Sequence, residues 1–147
     1  MLVVQGNLAV TYQALGRLEE ALRVRRDVYS GRLKLFGEEH EGTLRAANNY
    51  ASTLGTLGRF EEAKSVLRKT MPVARRVLGE GNELMLRMRM NYARALFDYP
   101  GATLDDLREA VGALKDIEPI ARRVFGGANP LTEGIESELR RARAAIE

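Results

Sequence analysis

The sequence predicts an all-α fold in which about three helix-turn-helix repeats are stacked and closed by a C-terminal capping helix. Two observations predict it: long segments recur at a spacing of 42 residues, and apolar residues within each segment recur at steps of three and four. No segment alternates convincingly between apolar and polar residues, so a sheet is not expected. Because one unit of this kind cannot bury its apolar side alone, successive units are expected to stack.

The recurrence is clearest in the first half of each unit. The segment Asn7–Ala21 reads NLAVTYQALGRLEEA and Asn49–Ala63 reads NYASTLGTLGRFEEA, with nine of fifteen positions identical, and a third copy begins at Asn91. The second halves recur as well, as LFGEEHEGTL at 35–44, VLGEGNELML at 77–86 and VFGGANPLTE at 124–133. The last spacing is 47 instead of 42, so repeat three is expected to carry five extra residues.

These spacings divide the single domain into repeat one (about 1–40), repeat two (about 41–82), repeat three (about 83–129) and a capping helix (about 130–147). The stretch DYPGA at 98–102 marks the insertion, in the loop between the two helices of repeat three. The last segment surrounds an apolar stripe with charged residues. That arrangement is typical of a terminal helix that covers the array with one side and meets water with the other.

Each unit is predicted to form two helices, and several residues mark their ends. Gly58 follows the first helix of repeat two in the position of a C-terminal glycine. Asn82 and Asn129 stand where a helix N-cap is needed, as does His40, although histidine is a poorer cap. Thr103, with an aspartate three residues later, gives the second helix of repeat three a Thr-x-x-Asp start signal.

The composition argues against an enzyme. The 147 residues include no cysteine and one histidine, so a disulfide framework and a zinc site are not expected. None of the motifs GxxxxGK[ST], GxGxxG and GxSxG occurs, and we predict no catalytic residue, metal or cofactor. No stretch is apolar enough to span a bilayer, so no membrane partner is expected, and we expect a cytoplasmic location.

These residues resemble the tetratricopeptide repeat, and more narrowly its 42-residue variety found in kinesin light chains and related adaptors. The resemblance rests on Asn7–Leu8–Ala9, on the run GRFEEA at 58–63, and on Leu78–Gly79 with His40 in the first turn. It covers about residues 3–133, and repeat three departs from it where the GRFEE run is replaced by FDYPG. It implies a right-handed α-α superhelix, or solenoid, whose first helices line a concave face that holds a peptide.

Asparagine is a mediocre helix former, yet it recurs in the middle of the first helix of every repeat. The resemblance implies that these asparagines point into the groove and bind a partner's backbone; the alternative is that they bond to a neighbouring helix. Arginines lie about one turn away on the same side, which predicts a basic groove, unless they form an ordinary solvated face. The predicted groove residues are Asn7, Arg45, Asn49, Arg87, Asn91 and Arg94.

The sequence therefore predicts a protein-interaction module or scaffold that binds a peptide segment, with acidic peptides favoured by the arginines. The alternative is a structural or self-assembly unit, a fragment of a longer array, that stacks through its open ends. Nucleic-acid binding is a weaker hypothesis, because 23 basic residues are nearly balanced by 20 acidic ones. These charges are spread along the whole chain and form no concentrated basic stripe.

Overall fold

The computed structural model describes the backbone of residues 2–147 and the side chains from residue 14 onward. Within that part of the chain the secondary structure consists of α-helices alone, which confirms the all-α prediction. The helices, in chain order, are α1 (Leu2–Phe36), α2 (Glu41–Thr56), α3 (Phe60–Leu78), α4 (Glu83–Phe97), α5 (Leu104–Phe125) and α6 (Pro130–Ile146).

The helices form a solenoid. Each helix packs on the next one in the chain, and α4 also packs on both α2 and α6, so these three form one continuous layer. The helices that pack on this layer form the second one: α1 packs on α2, α3 on α2 and α4, and α5 on α4 and α6. The core lies between the layers, where α5 is buried against α4 and α6 through apolar residues that include Leu96, Leu114 and Ile135. This arrangement is the predicted stack of repeats.

The predicted helix starts are confirmed. The side chain of Asn82 accepts hydrogen bonds from the backbone N–H groups of Leu84 and Met85, at 2.8 and 3.3 Å. Asn129 caps α6 in the same manner, and His40 accepts one bond at the start of α2. Thr103 and the aspartate three residues later form a reciprocal capping box at α5. These side chains satisfy backbone donors that the first helical turn leaves unpaired.

The predicted end of α2 is confirmed as well. Gly58 has φ of 79°, in the left-handed region that favours glycine. Its N–H donates to the Gly55 carbonyl at 3.0 Å, and the Arg59 N–H donates to the Leu54 carbonyl at 2.9 Å. The chain therefore reverses between α2 and α3 within residues 57–59, while the insertion lengthens the corresponding connection in repeat three to residues 98–103.

Repeat one differs from the prediction of two helices, because α1 runs unbroken from Leu2 to Phe36 through Gly16. The physical reason lies in its second half. Arg25 and Arg32 occupy the positions that Leu67 and Ala74 hold in repeat two, and both of the latter are fully buried. A first helix folded back onto this side would bury two guanidinium groups, and burial of unpaired charges is strongly unfavourable.

We expect Asn82→Ala to lower the free energy of unfolding by about 1 kcal/mol, because it removes the acceptor for two N–H groups at the start of α4. Urea denaturation followed by circular dichroism measures the change. Asn49→Ala is the matched control: Asn49 is exposed within α2, so the same substitution should leave stability unchanged or slightly raised. An equal loss in both variants would contradict the capping role.

Candidate peptide-binding groove

An open cavity of about 330 Å³ lies between α2 and α4, on the layer that these helices share. Its floor is made of small residues, because Ala51, Ala63 and Ala95 are nearly or fully buried there. Polar side chains surround the floor. The residues around the rim are Ser52, Thr56, Asn91, Arg94 and Asp98, and Phe60 closes one side.

The cavity exists because the C-terminal turns of α2 carry little side-chain volume. Gly55 and Gly58 both line it, and a Cβ atom built on Gly55 meets no heavy atom within 4 Å. Because Gly55 has ordinary helical geometry, the open space beside it is a consequence of the missing side chain and not of backbone strain. A concave space with a small apolar floor and a few polar groups is the usual form of a binding site.

Asn91 lines the cavity, and it also joins the two helices. Its Nδ2 donates a hydrogen bond of 2.9 Å to Oδ1 of Asn48, which is buried on α2. This contact matches the alternative in which the recurring asparagines bond to a neighbouring helix. One residue thus holds α2 and α4 in register while it faces the groove.

The arginines at the groove are already paired with carboxylates of the chain. Arg94 lies 3.5 Å from Glu138 of α6, and Arg141 of α6 lies 2.8 Å from both Glu138 and Asp98. Two basic and two acidic side chains therefore meet where α4 and α6 approach each other. The network balances charge at this end of the groove, so the arginines do not make it strongly basic.

Three other predicted groove residues, Arg45, Asn49 and Arg87, lie outside the cavity lining. Arg45 and Arg87 form ion pairs with the glutamates four residues before them, Glu41 and Glu83, at 3.1 and 2.8 Å. Pairs with this spacing lie along the surface of a single helix and contribute a few tenths of a kcal/mol. Asn49 is exposed on α2. The side chain of Asn7 lies outside the described residues.

Tyr99, which the sequence analysis missed, lies beside the groove and is not among the residues that line the cavity. It belongs to the insertion, and its ring stacks on that of Phe60 with centroids 5.3 Å apart. The Lys64 ammonium lies 5.5 Å from the same ring, and the Tyr99 hydroxyl donates to Asp106 at 3.1 Å. The insertion therefore folds back onto the start of α3, beside the cavity. The extra length of repeat three predicted a longer loop, but it did not predict that this loop would pack against the start of α3.

The hydrogen bonds around Asp106 shift two pKa values. The backbone N–H of Thr103 donates to the carboxylate at 3.0 Å and lowers the pKa of Asp106, and the Tyr99 hydroxyl lowers it further. Partial burial, and then the same bond to Asp106, raise the pKa of Tyr99. Both shifts favour a protonated phenol that donates to an ionised carboxylate. The loop is thus fastened to α5 at neutral pH.

In the described part of the chain, no helix is both long and apolar enough to cross a membrane. No group of three or more histidine, cysteine or acidic side chains among those residues is placed to hold a metal ion.

The fold and the groove define an α-solenoid built from helical-hairpin repeats. A family model described as tetratricopeptide repeat matches residues 1–76, more than half of the chain, and the chain belongs to that family. Proteins of this family are generally protein-interaction modules. No curated protein matches the sequence.

Solved structures show the same fold. The nearly identical TPR-like repeats of a presumed kinesin light chain from Podosopora anserina match with a TM-score of 0.78 and 24% identity over 98% of this chain and 66% of that one. A single-substitution variant of that protein gives a TM-score of 0.79 with the same identity and coverage. The chain thus spans slightly less than two thirds of the length of those solved chains.

We expect Asp106→Asn to lower the urea midpoint at neutral pH. Because folding lowers the pKa of Asp106, its ionised form stabilises the fold above the unfolded-state pKa, about 3.9, and this contribution is lost as the pH falls through the folded-state value. The difference from wild type should therefore shrink in acid. The neighbouring Asp105→Asn is the control, and a difference that is independent of pH would contradict the assignment.

Proposed function

We propose that this chain is a protein-interaction module that binds a peptide segment of a partner protein in the groove between α2 and α4. The observation that carries the proposal is the open cavity at Gly55, with its alanine floor and polar rim. Catalysis has no comparable support, because the groove brings together no nucleophile with an adjacent base. The groove instead presents groups that bind without reacting.

The floor and the rim have different roles in this proposal. The floor formed by Ala51, Ala63 and Ala95 accepts an apolar side chain of the peptide, whose burial contributes about 25 cal/mol per Å² removed from water. The hydroxyl of Ser52 and the amide of Asn91 bind peptide backbone groups. Each such bond contributes about 0.5–1.5 kcal/mol net.

A preference for an acidic residue depends on Arg94. Its side chain is 44% exposed and its contact with Glu138 is long, at 3.5 Å. A peptide carboxylate at the rim can approach more closely and form a charge-assisted hydrogen bond. Asp98 lines the same cavity, so we propose one acidic position beside Arg94 and not an acidic peptide throughout.

The alternative considered from the sequence is stacking through the open ends of the array, and at the C-terminal end it has less support. Arg140 and Arg143 of α6 occupy the positions that Ala93 and Leu96 hold in α4, where both are fully buried. A further repeat packed on this side would cover the two arginines. We therefore propose that α6 caps the array, with the side that carries Arg140 and Arg143 exposed to solvent.

We expect Gly55→Tyr to weaken peptide binding at least about tenfold, because the new side chain occupies the cavity. Stability should be unchanged or raised, since glycine is a poor residue within a helix. The probes are peptides selected on the wild-type chain from a random phage-displayed library, and fluorescence polarisation measures their affinity.

Gly112→Tyr is the matched control for this substitution. Gly112 is an exposed helical glycine of α5, also with no heavy atom within 4 Å of a built Cβ, and it lies outside the cavity lining. Binding should survive in this variant. The proposal fails if no peptide is enriched, or if the selected peptides bind the Gly55 and Gly112 variants equally well.

We expect Arg94→Gln to weaken binding of selected peptides that contain Asp or Glu by about tenfold, because a hydrogen bond to a charged group is lost. Peptides without acidic residues should lose less than about twofold. Arg87→Gln is the comparison variant, since Arg87 pairs with Glu83 outside the cavity lining. Equal losses in both variants would place recognition along the exposed side of α4 instead.

A further inference from the structure

The side of α1 that faces away from α2 exposes large apolar residues. Val24 is 61% exposed, Val28 43% and Leu35 78%. Leu22, by contrast, is buried and belongs to a cluster with residues of α2 and its neighbours. The uncovered residues recur along one side of the helix, so they form a stripe and not scattered single exposures.

The stripe follows a seven-residue period. Ala21, Val28 and Leu35 are spaced by seven, and Val24 and Gly31 lie three residues after the first two. These are the a and d positions of a heptad, through which two helices pack side by side. Toward the N-terminus the a positions are Ala14 and Asn7 and the d positions are Arg17, Val10 and Val3, so Arg17 interrupts the apolar period there.

Charged residues of opposite sign flank the stripe at its first two heptads. Glu20 and Asp27 precede the a positions 21 and 28 and are g residues, whereas Arg25 and Arg32 follow the d positions 24 and 31 and are e residues. These four residues are exposed, and the third g residue, Lys34 before Leu35, is basic. Neither Arg25 nor Arg32 has a carboxylate within 4.0 Å among the described residues, and Asp27 contacts only Arg26, at 3.7 Å.

This charge pattern indicates which helix can pair with α1 and whether the two helices run parallel or antiparallel. In a parallel pair of helices, each g residue lies near the e residue five positions later on the other helix. In a parallel pair, Glu20 of each copy would therefore lie opposite Arg25 of the other copy, and Asp27 opposite Arg32. The twofold axis makes each of these pairs occur twice. An antiparallel pair would instead bring the arginines together, and the carboxylates together.

We infer that α1 pairs with α1 of a second copy of this chain, in a parallel two-stranded coiled coil that joins two arrays side by side. The length of α1 supports this: its 35 residues extend about 52 Å, whereas the 16 residues of α2 extend about 24 Å. Among the described residues, α1 packs on α2 alone. α1 is therefore more than twice as long as the helix on which it packs.

The same arginines exclude another repeat as the occupant. In interior repeats the positions of Arg25 and Arg32 are buried between two helices of the array, but in a coiled coil e residues remain at the edge of the contact, in water. Pairing with α6 of a second copy is also unfavourable, because its exposed Arg140 and Arg143 would face Arg25 and Arg32. The pairing is independent of the groove, which α2 and α4 form.

Two charge-reversed chains test the inference. We expect sedimentation equilibrium to show a monomer–dimer equilibrium for the wild type. The double variants Arg25→Glu/Arg32→Glu and Glu20→Arg/Asp27→Arg should each raise the dissociation constant at least about tenfold, because attractive pairs become repulsive. An equimolar mixture should form a heterodimer within about threefold of wild-type affinity. Circular dichroism checks that both variants fold.

A single cysteine tests the direction of the pair, since the chain has no other cysteine. In the parallel twofold pair, residue 28 lies beside its own copy, so Val28→Cys should form an intermolecular disulfide readily on mild oxidation. Ser30→Cys is the matched control, because Ser30 is exposed on the same helix away from the stripe. We expect cross-linking at position 28 to be at least about tenfold faster, as disulfide geometry requires close Cα atoms.

Four outcomes would overturn the inference. The wild type could remain monomeric up to about 0.1 mM, far above the dissociation constants of specific complexes. The dimer could persist in both charge-reversed variants, or their mixture could fail to restore it. Position 30 could also cross-link as fast as position 28, which would indicate another interface.

Discussion

The structure depends on one constraint: the apolar side of each helix must be covered by a neighbouring helix of the array. The fully buried positions recur through the interior, so that Leu67 of α3 is matched by Leu114 of α5, and Ala74 by Ala121. The large residue fills the space between the layers and the small one lets the helices approach. Where arginine replaces these residues, as in α1, the array does not continue in the same way.

The groove follows from the same packing. Ala51 of α2 and Ala95 of α4 are small and buried beside the groove, and the buried Asn48 accepts a hydrogen bond from the Asn91 amide between the two helices. Near the C-terminal ends of the two helices, the glycines of α2 leave a space that no side chain fills. The groove is thus open because the residues between α2 and α4 are small. No large side chain fills the space near the C-terminal ends of these two helices.

The charged residues have mostly local roles. Ion pairs within one turn of a helix hold many of the arginines, and the contacts of Arg141 link α6 to α4. Such exposed pairs contribute little to stability, but they determine which surfaces remain basic. Pairing leaves the groove nearly balanced in charge, whereas no described carboxylate lies within 4.0 Å of Arg25 or Arg32, which flank the apolar stripe of α1. The two surfaces therefore favour different partners.

The sequence by itself determined the class of fold and the capping residues, because these depend on periodicity and on interactions within one or two helical turns. It also identified Asn91 and Arg94, which line the cavity. Only the tertiary structure decided that Asn91 bonds to Asn48, that Tyr99 packs on Phe60 and that α1 is continuous. The first two outcomes depend on residues that are distant in the chain and meet only when the helices pack. The continuity of α1 depends on whether Arg25 and Arg32 would be buried against another helix, which packing decides.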